Sequence, residues 1–283
     1  QGLDLARTAT FNTLNPTGAV PNTQALALAA VTGINQRLDE MGAPRDKQRA
    51  LALSPSLNAS FVQGFAGLFN GQSALTKQFG SGVMVDSLGI SYSMDQNVAT
   101  HTNGTQAVAG TAVAAGLSGA SIACAALAGT ISKGTVVQFP GVFAVNPQSR
   151  TSTGVLAQFV ITADLLAGAV ALPISPAIVS TGAFQNVTNN TTAANFTIVG
   201  AANTGYQANV GFHKDAFTLA CVPMWAPPGG KGVIDVAQES YKGMNIKVTE
   251  FYDGVNDNSI MRLDVLFGWA ATYPELAVKY YSV

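Results

Sequence analysis

Lys133-Gly-Thr-Val-Val-Gln-Phe-Pro-Gly-Val-Phe-Ala-Val-Asn-Pro147 is the stretch on which the fold reading turns. Within it, Thr135–Phe139 is a short apolar run rich in β-branched residues and closed by Gly134 and Pro140; Gln158-Phe-Val-Ile-Thr162 repeats the pattern further on. Runs of that length between turn residues predict the short strands of a sandwich or barrel. Outward from there, only Lys133, Arg150 and Asp164 are charged between Thr102 and His213, although the chain holds 14 Lys and Arg and 15 Asp and Glu. Such a break in composition predicts a β-rich module, 102–208, inserted into a host built from 1–101 and 209–283.

The host reads as α+β. Ala27, Val31, Ile34, Leu38 and Met41 recur at spacings of four and three, which places them on one face of a helix over Thr23–Met41. Gly42 fits its left-handed cap and Pro44 prevents continuation. Arg49–Leu53 is expected as a short buried strand, Asn58–Phe69 as a second helix with Phe61, Phe65, Leu68 and Phe69 apolar, and Gly82–Tyr92 as a strand through Val83, Val85 and Leu88. Beyond the module, Val233–Phe251 and Ser259–Trp269 are expected to pair as a hairpin across the turn residues Asp253–Asn258. In the second of these, Met261, Leu263, Val265, Phe267 and Trp269 alternate with Ile260, Arg262, Asp264 and Leu266. Leu276–Tyr281 supplies a last strand.

Charged residues make up 10% of the 283, against roughly 25% in ordinary soluble domains. A subunit that hides much of its surface against copies of itself fits that economy, because interface cores are depleted in charge. The formal net charge of −1 argues against a dedicated nucleic-acid binder. Thr111–Thr130 is uncharged and 20 residues long, but it is mostly Ala, Gly, Ser and Thr without interfacial aromatics, so no membrane span is expected. The chain opens on Gln1 with no secretory pattern, and is expected to be processed or a portion of a longer product. Cys124 and Cys221 are read as reduced thiols, a disulfide between them staying possible.

Three stretches carry a family resemblance: Lys133–Pro147 with Ser152-Thr-Gly154 and Gln158–Thr162, then Asn209-Val-Gly-Phe-His-Lys-Asp-Ala-Phe217, then Tyr241–Tyr280 with Leu263-Asp-Val-Leu-Phe-Gly-Trp269. In these the chain resembles the major capsid proteins of tailed bacteriophages, the HK-ninety-seven-type fold, and among them short-tailed phage coat proteins with an inserted β-barrel-like domain. The resemblance implies that residues 1–101 hold the spine helix of a peripheral domain and the first part of an axial domain. It implies that 102–208 is the inserted domain, and that 209–283 completes the axial domain and supplies the closing peripheral strands. It also implies a non-enzymatic subunit of an icosahedral shell, located in the virion and assembled in the host cytoplasm. The implied partners are copies of itself, portal and scaffolding proteins, and enclosed double-stranded DNA without sequence-specific contact. Such proteins begin with an N-terminal arm and a long two-stranded loop, for which little before Thr23 is available.

Chemistry is sparse. No cofactor is called for, and the two histidines and two cysteines lack zinc-ligand spacing. Gly229-Gly-Lys-Gly232 lacks the Ser or Thr of a phosphate loop, and Gly-x-Ser-x-Gly is absent. Six glycosylation sequons, at Asn58, Asn103, Asn186, Asn189, Asn190 and Asn195, are read as a product of Asn- and Thr-rich composition. Two rivals to the capsid reading stay open: a secreted or surface β-rich adhesin or carbohydrate-binding module, and a hydrolase around His213 and Asp215. For the charge cluster Asp39, Glu40, Arg45, Asp46, Lys47 and Arg49 two readings stand, a solvated helix end and an intersubunit salt-bridge patch. Glu239, Glu250, Asp253, Arg262 and Asp264 are the second group of interface candidates.

Overall fold

The computed structural model describes residues 2–65, 82, 84, 86–188, 192–226 and 233–283. Thr23 is the N-cap of the helix Gln24–Glu40, its hydroxyl accepting from the Leu26 amide. Ala27, Val31, Ile34 and Leu38 are buried along one face, at the spacing the sequence predicts. Gly42 adopts φ +79° just past the cap residue Met41, and the amides of Gly42 and Ala43 turn back onto the carbonyls of Asp39 and Leu38. The second helix is Pro55–Phe65, starting earlier than Asn58 because Ser54 caps it and Pro55 suits a first turn. Leu68, Phe69, Val83 and Val85 lie outside the described residues. The strand expected over Gly82–Tyr92 is instead Ile90–Met94. Leu88 and Gly89, both at positive φ, make a tight turn that lets Ser87 and Ile90 exchange backbone hydrogen bonds.

Few helices and many strands make up the chain, in two compact units: 1–216 with 271–283, and 217–270. In the first unit, strand Gly205–His213 is the middle of a mixed sheet. On one edge it pairs antiparallel with Ala277–Ser282, which continues to Thr13–Leu14. On the other it pairs with Arg49–Leu53, and through that with Ile90–Met94. Gly205 and Gln207 meet Thr102 and Thr100 across a further antiparallel step. The two helices cover one face of this sheet, packing Ile34, Leu38, Phe61 and Phe65 against Leu51, Leu53, Val278 and Tyr280.

The charge-poor module is a nearly closed six-stranded barrel, in the order Ala109–Val113, Ala194–Ile198, Val136–Val145, Ser152–Ile161, Ala171–Ile178, Gly119–Ala123. Its two edge strands meet at a bridge between Val113 and Cys124, which nearly removes the free edges. Phe139, Phe159 and Phe196 fill it, with ring centres 5.6 and 6.4 Å apart. The uncharged segment Thr111–Thr130 thus supplies barrel edges, and among the described residues no helix is long and apolar enough to cross a membrane.

In the second unit, Val233–Tyr241, Met244–Asp253 and Asn258–Asp264 form a three-stranded antiparallel sheet. Two expectations change here. The run Val233–Phe251 is two strands, folded at Lys242-Gly243, where both residues take the positive φ that hairpin turns require. The run Ser259–Trp269 is also split: Phe267–Ala271 leaves the sheet to pair with Phe217–Cys221.

Gly211 lies under the first helix, where a Cβ would come 2.8 Å from Ile34 Cγ2. Gly211→Val is therefore expected to destabilise the subunit by about 1–3 kcal/mol through overpacking, read as a lowered urea midpoint with an unchanged slope.

Candidate assembly surfaces

The first charge cluster is largely consumed inside its own chain. Arg49 is 3% exposed, at the start of its strand beneath the helix end. Its guanidinium donates to the carbonyls of Pro44 (3.0 Å) and Ala43 (2.7 Å), to Asn35 Oδ1 (3.0 Å) and to Asp39 Oδ1 (2.7 Å). That clamp ties the strand to the turn which ends the helix. Asp39 also accepts from the exposed Arg45. The Arg45 hydrogen bond, then that from Arg49, hold the Asp39 carboxyl at about 2 although burial pushes it the other way. Glu40 faces Arg37 at 3.3 Å and accepts from Gln36.

Asp46 caps the Gln48 amide and accepts from His213 Nε2 at 3.1 Å. His213 is buried, and the Asp215 amide approaches its Nδ1 at 3.4 Å. Both ring nitrogens are thereby engaged by the two aspartate residues, and the arrangement is a brace for the loop after the helix. Arg45 and Lys47 are exposed at this corner, Arg45 paired with Asp39 and Lys47 with φ +64°. The stretch 229–232 and the sequons at Asn189 and Asn190 lie outside the described residues. Asn103 is buried, its amide donating to the carbonyls of Val199 and Ala201.

The second group sits on the three-stranded sheet, and the register sorts it by face. Residues directly opposite share a face: Glu250 with Met261 and Asp235, Glu239 with Ile246, Val248 with Leu263. This side therefore carries three carboxylates among aliphatic side chains, and Met261 and Leu263 are each 67% exposed. The other side pairs Lys247 with Asp264 at 3.4 Å and Arg262 with Asp264 at 2.7 Å, and lays Arg262 over the Phe251 ring. Asp253 shapes the turn, accepting from the Val255 amide and the Asn256 side chain. Among the described residues, Met261 and Leu263 thus mark an exposed apolar face.

A barrel low in charge joined to a helix-covered sheet, with a separate ribbon exposing apolar side chains, is the architecture in hand when the chain is compared with known families. The model of the family described as "P22 coat protein - gene protein 5" matches residues 59–280. The chain belongs to the P22 coat protein family. No curated protein matches it in sequence. As a P22-type coat protein it is a structural subunit of a bacteriophage capsid, and the adhesin reading finds no support in this match. Cys124 and Cys221 are free thiols. The P22 coat protein match gives a structural role, and among the described residues the ring nitrogens of His213 face Asp46 and Asp215.

Because Asp39 is held below the ordinary carboxylate value of 3.8, its contribution to stability is complete above pH 4 and is lost as pH falls through 2. Acid unfolding of the wild type between pH 4 and 2 should accordingly be steeper than that of Asp39→Asn, which is less stable at pH 5; circular dichroism across the acid limb measures both.

Proposed function

We propose that the chain is the shell-forming major capsid protein of a tailed phage with an HK-ninety-seven-type fold. In this reading Gln24–Glu40 is the spine helix of a peripheral domain, residues 49–92 belong to an axial domain, and 102–208 is an inserted barrel that braces subunits. Copies close an icosahedral shell around double-stranded DNA without sequence-specific contact. Portal and scaffolding proteins take part, and assembly runs in the host cytoplasm before the protein resides in the virion. The family match over 59–280 carries the proposal, and the near-neutral charge agrees with a protein that encloses DNA without gripping it.

For the contacts between copies, the candidates divide by what they still have to offer. Arg49, Asp39, Glu40, Asp46 and Asp264 are engaged within the chain, and Asp253 holds a turn. Glu239 and Glu250, with Asp235, stand among exposed aliphatics. Lys47 stands on an exposed corner beside Arg45, which is itself paired with Asp39. We assign a heterologous contact in which the acidic, apolar face of one copy meets the corner of the next that carries Arg45 and Lys47. Several modest contacts of this kind sum to a stable shell through multivalency.

Light scattering followed by negative-stain imaging of the full chain should give closed shells or capsomer rings; a monodisperse monomer under assembly conditions would overturn the proposal. The paired reversal Glu239→Lys and Glu250→Lys should cut shell yield at least about tenfold, since like charges placed together at a contact are strongly unfavourable, while leaving subunit unfolding unchanged. Removal of 105–201 should abolish properly sized shells, and normal yields from that deletion would dismiss the bracing role.

A further inference from the structure

Strand Ala277–Ser282 turns Lys279 away from the helices Gln24–Glu40 and Pro55–Phe65 and toward the barrel, where the side chain is 0% exposed. Its Nζ donates to the carbonyl of Arg7 at 3.0 Å and to that of Gly134 at 3.1 Å, and lies 5.9 Å from the centre of the Tyr281 ring. One amine thus joins three segments remote in sequence: the helix Gly2–Ala9, the lead-in to the first long barrel strand, and the last strand of the host sheet.

No carboxylate pairs with it among the described residues. The groups packed around it are basic or neutral. From the helix comes Arg7, whose acid partner Asp4 is exposed. From strand Thr100–Thr102 comes His101, whose Nδ1 accepts from Arg7 at 3.0 Å. The His101 Nε2 therefore carries the proton and faces Asn103 and Thr135 at 3.1 and 3.2 Å. Tyr206 and Tyr281, stacked 4.8 Å apart, come from the two central strands. From the barrel come the Thr135 hydroxyl and backbone carbonyls, that of Lys133 receiving Arg7 at 3.4 Å.

We propose that Lys279 makes the seating of the barrel on the host sheet a pH-responsive latch, firm when the amine is neutral and loosened when it is protonated. The two carbonyls accept from either form of the amine. The charged form additionally carries the cost of a buried ammonium without a counter-ion, beside a guanidinium of like charge. Burial first, and then Arg7, bring the amine from its ordinary 10.5 down to about 7. The unfolded chain holds this proton up to about pH 10.5, the folded chain only to about pH 7. Stability therefore rises as pH climbs through that window, and below it the full penalty is carried. His101, brought down to about 3 by burial, then by Lys279 and Arg7, acts in the same direction between pH 3 and its ordinary 6.5. Both residues make the junction weaker in acid, in windows that can be separated.

The test is amide hydrogen exchange of the full chain from pH 5 to 9.5, corrected for intrinsic rates. It is read at Gly134, whose amide bonds Ile161, and at Lys279, whose amide bonds Asn12. Between pH 6.5 and 9.5 wild-type protection should rise at least about tenfold. Lys279→Met should be protected and flat across the window, and Lys279→Arg, charged throughout, flat and poorly protected. An equal rise in wild type and Lys279→Met, or a flat or falling wild-type profile, would overturn the latch. Where neither variant folds, the wild-type profile decides; His101→Gln, whatever its baseline, should keep the rise between pH 6.5 and 9.5 and change the slope only below pH 6.5.

Discussion

The last strand of the chain has no solvent side. All six residues of Ala277–Ser282 are buried, and the strand is paired on both edges, to Gly205–His213 and to Thr13–Leu14. Its alternation therefore feeds two cores at once: Val278 and Tyr280 pack under the helices, while Tyr281 joins Tyr206, Val136, Val160 and Val199 toward the barrel. A strand in that position is expected to be continuously apolar, and its polar residues Lys279 and Ser282 find partners inside the chain. Ser282 Oγ accepts from Asn209 Nδ2 at 2.9 Å, and Asn209 Oδ1 accepts the Ser54 amide at 2.7 Å, which sets the start of the second helix. Gln158 serves the outer edge in the same way. Its side-chain amide exchanges two hydrogen bonds with the backbone of Thr13, at 2.6 and 3.0 Å, as a strand would.

The chain's few charges are spent unevenly. In the first unit much of the cluster at the helix end is turned inward: Arg49 closes the helix terminus, Asp39 is shared between two arginines, and Asp46 holds His213. In the second unit the sheet has a solvated side occupied by Ile246, Met261 and Leu263. Apolar surface of that extent on an isolated domain is a marker of an interaction site. For a capsid protein it accounts for the low charge seen in composition, since the surfaces that need charge least are those covered on assembly.

Local signals were legible where one physical effect dominated. The helix stripe from Ala27 to Leu38, the Thr23 and Gly42 ends, and the charge-poor barrel could be read because periodicity, capping and composition each pointed one way. The strand expected through Leu88 could not, because Leu88 and Gly89 both take positive φ in a turn that Leu88 gives no sign of. Alternation announced a sheet face at Met261 and Leu263, but it gave no sign that the strand ends at Asp264 and that Phe267–Ala271 pairs elsewhere. Lys279 and Gln158 were illegible for another reason: their partners lie 145 residues away in sequence, and the carbonyl of Gly134 and the backbone of Thr13 carry no side-chain code. A lysine at an inward position of Ala277-Val-Lys-Tyr-Tyr-Ser282 is the one hint the sequence contains.

The barrel leaves the host strand at Thr102 and returns at Gly205, residues that are direct cross-strand neighbours. Without the barrel, Thr100–Thr102 and Gly205–Gln207 would be the two arms of an ordinary hairpin, separated by the roughly 5 Å of any antiparallel pair. A six-stranded barrel thus occupies the place of a turn. The pairing of Thr102 with Gly205 is kept, but Val136, Val160 and Val199 share a core with Tyr206 and Tyr281, so residues on the two sides of that seam have to change together.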